Sequence, residues 1–244
     1  MKRILIVILM FAFTTCMAFA QQKAKDAVVV DGNAHRVVLE NEYIRVIEAR
    51  ASHGAKSPRH SHPPLVFISL DTARVKFGFP DGKSALFDMY PGQVLWMGDG
   101  MEHSWELLGG EVNVIGVEIK SALPKSSQPL AAVKRKANDS VTVDPDTHHV
   151  LFENDHVRVF DGRATKGRTS VMHSHPPTLL VHLTRARLRL TLPDGKTVIY
   201  DFTPGQVNWA GEGMEHSWEA LSGEAQLIAV EVKSAQRAMP AKAN

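Results

Sequence analysis

Apolar and polar residues alternate with a period of two through most of this chain. In "RLRLTL" Leu188, Leu190 and Leu192 fall on one face, while Arg187, Arg189 and Thr191 fall on the other. In "RVKFGF" Val75, Phe77 and Phe79 alternate in the same way. "PDG" at 80–82 and again at 193–195 is a hairpin signal, because glycine accepts the positive φ a tight turn needs. Beyond residue 20 no run of ten or more residues carries a helical stripe. Short alternating strands punctuated by turns predict an all-β protein, a sandwich or a barrel. The arginines of "RLRLTL" fit a solvated outer sheet face better than a binding patch.

The pattern occurs twice. Residues 28–122 align with 141–235 without a gap, and about half of the positions are identical. "LENEYIRVIEAR" answers "FENDHVRVFDGR", and "PGQVLWMGDGMEHSWE" answers "PGQVNWAGEGMEHSWE". Between the copies "LPKSSQPLAAVKRKANDS" is polar and aperiodic, a linker at 123–140. The expected organisation is therefore a first barrel over 21–122, that linker, a second barrel over 141–235 and a tail over 236–244.

The first twenty residues break the pattern. Lys2 and Arg3 precede the apolar run Ile4 to Phe13, and Ala18-Phe19-Ala20 is an A-x-A cleavage site. This predicts a secretory signal peptide over 1–20 and a periplasmic or secreted destination. An uncleaved anchor is the alternative, but the apolar run is short for a membrane span. Phe13-Thr14-Thr15 is a poor lipobox for Cys16. Lys2 and Arg3 also account for the formal charge of +2, so cleavage leaves a neutral protein, which argues against a nucleic-acid surface. The single cysteine leaves with the leader, so no disulfide is expected and packing alone must hold the fold.

The candidate chemistry lies in the histidines. "RHSHPP" at 59–64 answers "MHSHPP" at 172–177. On a strand, i and i+2 project from one face, so His60 and His62 point together, as do His173 and His175. A metal needs a further ligand from another strand, for which His103 and His216 in "GMEHSW" are the candidates. The bland alternative is packed or surface histidine. Although half of the positions differ between the copies, all six of these residues match. His35 and His148 also match each other, but lie in a loop-like entry segment and read as surface. Trp105 and Trp218 follow the third histidine of each copy by two residues. They form either a pocket wall beside the metal or simple core filling. Glu102 and Glu215 should point away from the histidines, as partners through a neighbouring strand or as surface charges. Glu118 and Glu231 alternate with apolar residues and read as outer-face charges.

In these motifs the chain resembles the cupin superfamily, specifically the two-domain bicupins. An H-x-H strand is followed by Gly92, Gly98, Gly100 and His103 at the spacing of the second cupin motif, with Gly98 where proline is usual. Gly205, Gly211, Gly213 and His216 repeat that spacing. The resemblance covers both repeats and implies two tandem cupin barrels of jelly-roll type. It also implies one divalent transition metal in each, on His60, His62 and His103 and on His173, His175 and His216. Iron, zinc, copper, nickel, cobalt and manganese all suit imidazole ligands. The usual glutamate after H-x-H is missing, which demotes oxalate-degrading chemistry and leaves the three-histidine cupin dioxygenases as the nearer analogy. Two functions stay open. One is an exported metal-dependent oxygenase acting on a small organic molecule; the other is a non-catalytic exported protein that binds a metal or small ligand.

Overall fold

A computed structural model describes residues 24–98, 100–122 and 133–238. The expected leader and most of the expected linker lie outside the described residues. The first repeat begins with one helical turn, α1 (Ala27–Val30). It continues as β1 (His35–Glu40), β2 (Ile44–Ala51), β3 (Lys56–His62), β4 (Leu65–Ser69) and β5 (Ala73–Gly78). β6 (Ser84–Met89), β7 (Val94–Met97), β8 (Met101–Gly110) and β9 (Val112–Ile119) complete it. The second repeat runs through α2 (Ser140–Val143), β10 (His148–Glu153), β11 (Val157–Thr165), β12 (His173–His175) and β13 (Thr178–His182). β14 (Ala186–Thr191), β15 (Thr197–Phe202), β16 (Val207–Ala210), β17 (Met214–Val232) and α3 (Lys233–Ala238) follow. No helix among the described residues is long and apolar enough to cross a membrane.

Each repeat pairs two antiparallel sheets. In the first, one sheet has the order β1-β2-β9-β4-β7 and the other β3-β8-β5-β6. The second repeat has the same pairings, but its last long strand is unbroken. Residues 214–223 of β17 pair with β12 and β14, and residues 224–232 pair with β11 and β13. The strand changes sheet at Gly223, whose φ is 74° and where a Cβ would come within 2.5 Å of the Arg185 carbonyl oxygen. Only glycine fits that crossing. The "PDG" turns join β5 to β6 and β14 to β15, with Asp81 and Asp194 each accepting an N–H two residues on at 3.0 Å. The arginine face of β14 is solvated and paired, Arg187 with Asp201 and Arg189 with Glu219.

Apolar side chains form three clusters. One fills each repeat, around Trp105 and Leu107 in the first and Trp218 and Leu188 in the second. The third joins the repeats: Val46, Val66 and Val117 pack in one cluster with Val159, Leu179 and Val230. The sheet that carries β2, β9 and β4 is thus buried on both faces, as is its counterpart in the second repeat. Nor is the end of the expected linker a passive spacer. The Asn138 carbonyl accepts the Ser174 N–H at 2.8 Å, and Asp139 is buried.

Candidate metal centres

β3 lies against β8 so that His60 faces His103 directly across the ladder, and β12 places His173 opposite His216 in β17. In the first repeat the ring centroids of His60, His62 and His103 are 4.6–5.5 Å apart. In the second, those of His173, His175 and His216 are 4.7–5.4 Å apart. The backbone orients the rings. His60 Nδ1 donates to the Pro58 carbonyl and His173 Nδ1 to the Val171 carbonyl, each at 2.8 Å. With the proton held at Nδ1, Nε2 carries the lone pair, as a metal-ligating imidazole requires. His60 Nε2 comes within 2.9 Å of His103 Nε2, a separation that needs a shared proton or a cation. His173 Nε2 is buried with no hydrogen-bond partner.

Two residues expected at the surface belong to these clusters. His35 is 3% exposed and His148 is 6% exposed. Their rings lie 4.8 Å from those of His60 and His173. Each repeats the backbone device, with Nδ1 donating to the Asp31 carbonyl at 3.2 Å and the Asp144 carbonyl at 2.9 Å. The ligand atoms of His35, His60 and His62 lie within 4.8 Å of one another, and those of His148, His173 and His175 do the same. Each centre is a group of four histidines. The offset alignment matches His35 with His148; what hides them is the irregular run before β1 and β10, strands of which only the first residue turns fully inward.

The carboxylates also need correction. Glu118 and Glu231 are not outer-face charges; they are 2% and 3% exposed and face the histidines. Their apolar neighbours Val117, Ile119, Val230 and Val232 point the other way, into the core between repeats. Glu118 Oε1 lies 3.6 Å from His62 Nδ1, and Glu231 Oε1 lies 3.9 Å from His175 Nδ1. These separations exceed a hydrogen bond but keep a carboxylate beside each second histidine. Arg45 ties Glu118 to Asp26. Arg158 donates to Asp139 at 2.7 and 2.8 Å and also pairs with Glu231. Burial pushes the Glu231 carboxyl up against the opposing pull of Arg158. Glu102 and Glu215 hold the entry segments instead: Glu102 accepts the Ala24 N–H at 3.3 Å and pairs with Arg59 of β3, and Glu215 pairs with Lys136 and Asn138.

Burial favours the neutral form of His60, His103, His175 and His216. It lowers His60 to about 4, His216 to about 3 and His103 to about 2, with the neighbouring histidines adding to the effect in each case. His175 is pushed well below its ordinary value for the same reasons. Neutral imidazoles that keep a free lone pair in a buried cluster are the donor set of a transition metal. Trp105 and Trp218 are both 7% exposed and line the cavity that each cluster opens into.

The fold compares with solved structures at low identity. A single-residue variant of Bacillus subtilis oxalate decarboxylase matches at 14% identity over 81% of this chain and 72% of its own, with a TM-score of 0.51. The fold is that of a bicupin. A cupin 2 conserved barrel domain protein from Leptotrichia buccalis matches at 10% identity over 81% of this chain and 88% of its own, with a TM-score of 0.47. A cupin domain from Bordetella pertussis matches at 26% identity over 35% of this chain and 90% of its own, with a TM-score of 0.32. No family model matches the sequence, and no curated protein does. The Bacillus subtilis decarboxylase has Mn(II) centres. In this chain a metal would meet a fourth histidine, His35 or His148, beside the three named from the sequence.

Proposed function

We propose that this bicupin is an exported metalloprotein that binds one divalent transition metal per barrel and acts on a small organic molecule, as an oxygenase. The observation that carries the reading is the pair of buried histidine clusters beside an apolar cavity, in each of which backbone carbonyls hold two of the Nδ1 protons. His60, His62 and His103, with His35, would hold one metal; His173, His175 and His216, with His148, would hold the other. A redox-active metal would supply dioxygen activation, and zinc would supply Lewis acidity alone. The protein's part is to keep the imidazoles neutral, exclude bulk water and present an aromatic wall, Trp105 or Trp218, to the ligand. Export is the expectation from the leader "MKRILIVILMFAFTTCMAFAQQ".

One observation favours the non-catalytic reading, a ligand- or metal-binding protein. Glu118 and Glu231, the carboxylates beside His62 and His175, are tied to Arg45 and Arg158, which makes them poor proton carriers. Metal counting on untagged protein, purified without chelators, tests the central claim. About two equivalents of a redox metal, lost in His60→Ala/His173→Ala, together with dioxygen uptake on a substrate panel, support the oxygenase. Two equivalents of zinc without turnover support the binding protein. Protein that holds no metal and takes none up sinks both.

A further inference from the structure

The two barrels carry the same histidines around very different spaces. The cavity of the first repeat has a volume of about 70 Å³, that of the second about 310 Å³. Liquid water occupies roughly 30 Å³ per molecule, and a cavity of about 150 Å³ accepts benzene. The first cavity is about half of that benzene-sized volume, and the second is about twice it, room for a substituted ring. Aligned substitutions in the lining run both ways: Met97, Val112 and Phe77 in the first repeat become the smaller Ala210, Ala225 and Leu190, while Ile47 and Val114 become the larger Phe160 and Leu227.

Polarity differs as well. Phe87, Leu95 and Ser69 of the first repeat are answered by Tyr200, Asn208 and His182. Tyr200 and Asn208 line the larger cavity together with His148, His175 and His216. Behind them His182 is fully buried, and its Nε2–H donates to Asn208 Oδ1 at 3.0 Å. That bond turns the amide and leaves the Asn208 NH₂ group available to a ligand. The Tyr200 hydroxyl is 3.5 Å from the same ring nitrogen, at the outer limit of a hydrogen bond, and so is free to donate elsewhere. Burial raises the phenol above its ordinary value, which keeps it a neutral donor.

We infer that the second barrel is the ligand-binding barrel, and that it takes a small, mostly apolar, ring-sized molecule whose carbonyl or other acceptor oxygen is read by Tyr200 and Asn208, while the cavity of the first barrel is too small for such a molecule. The inference deepens the proposed function and rests on it only for what happens after binding. A cavity lined by apolar groups with two convergent donors selects by shape first and by the acceptor second.

Acetophenone and α-methylstyrene, which differ by a carbonyl oxygen against a methylene, are suitable probes for calorimetry on the full chain, with the metal content of every sample counted. Wild type is expected to bind one equivalent of acetophenone, at least tenfold more tightly than α-methylstyrene. Tyr200→Phe/Asn208→Leu, which installs the first repeat's residues, should weaken acetophenone at least tenfold and leave α-methylstyrene within twofold. Ala210→Met/Ala225→Val should abolish binding of both, whereas Met97→Ala in the first barrel should leave the affinity of the second unchanged. Binding of two equivalents, no preference for the ketone, insensitivity to the Tyr200/Asn208 change, or no binding of either probe at millimolar concentration each overturns the inference. Probe binding by a protein that holds no metal and takes none up would instead sink the metal reading and leave this one standing.

Discussion

Arg158 is 2% exposed and sits between two buried carboxylates, Asp139 and Glu231. A guanidinium there has a structural consequence that its first-repeat counterpart shares only in part, because Arg45 and Asp26 keep 20% and 31% of their side chains in solvent. Removing one member of a buried ion network leaves the others desolvated and unpaired, which costs about 3–5 kcal/mol. Arg158→Leu is therefore expected to lose that much in urea unfolding followed by circular dichroism, and Arg45→Leu distinctly less, since water reaches its partners. Equal and small losses in both variants would mean that the second network is no more buried than the first. The same residues carry a functional expectation. Because Glu231 faces His175 and is held by Arg158, the arginine variant should also lose metal from the second barrel.

At the scale of strands, the glycines that precede β8 and β17 bring the third histidine of each cluster into place. Gly213 has φ 74°, and a Cβ there would stand 2.6 Å from the His175 carbonyl oxygen; Gly100 has φ 73° and the same conflict with His62 at 2.5 Å. The obstacle is backbone, which cannot swing aside. Gly213→Ala is expected to push β17 off β12 and lower bound metal from about two equivalents to about one. Gly195→Ala, also at positive φ but with nothing within 4 Å, should cost about 1 kcal/mol of backbone strain and no metal. A Gly213→Ala protein with both metals and an unchanged melting midpoint would show that this crossing does not position His216. Strands and turns are legible in the sequence because alternation and "PDG" are local signals. Glu118 and Glu231 escape such a reading for a physical reason: alternation shows that Val117 and Glu118 face opposite ways, but not which way is inside. When a sheet packs on a second barrel both of its faces are covered, so a charged residue between apolar neighbours can lie on the inner one. His35 and His148 escape it because one inward residue at the start of an edge strand has no periodicity of its own.

For the whole molecule the shared core decides whether the repeats can live apart. Ile44, Val46, Val66, Ile68, Ile115, Val117 and Ile119 of the first repeat are all at most 1% exposed, and they pack in one cluster with Val157, Val159, Leu179, Val181, Ile228, Val230 and Val232 of the second. Burying an aliphatic side chain of this size contributes about 1.5–3 kcal/mol, so separating the halves would uncover an apolar face that water does not tolerate. Each half keeps its own inner core around Trp105 or Trp218, so folding of the separated repeats is not the obstacle; their solubility is. Residues 24–122 produced alone should self-associate in a concentration-dependent way in sedimentation velocity, and adding residues 133–238 should convert the material to a one-to-one complex. Val117→Lys in the isolated half should suppress self-association and also block that reconstitution, because the substitution puts a charge into the face both assemblies need. A first repeat that stays monomeric at tens of micromolar without the lysine would mean that the central cluster is a contact of convenience. The duplication would then have joined two independent barrels rather than built one molecule around a common sheet interface.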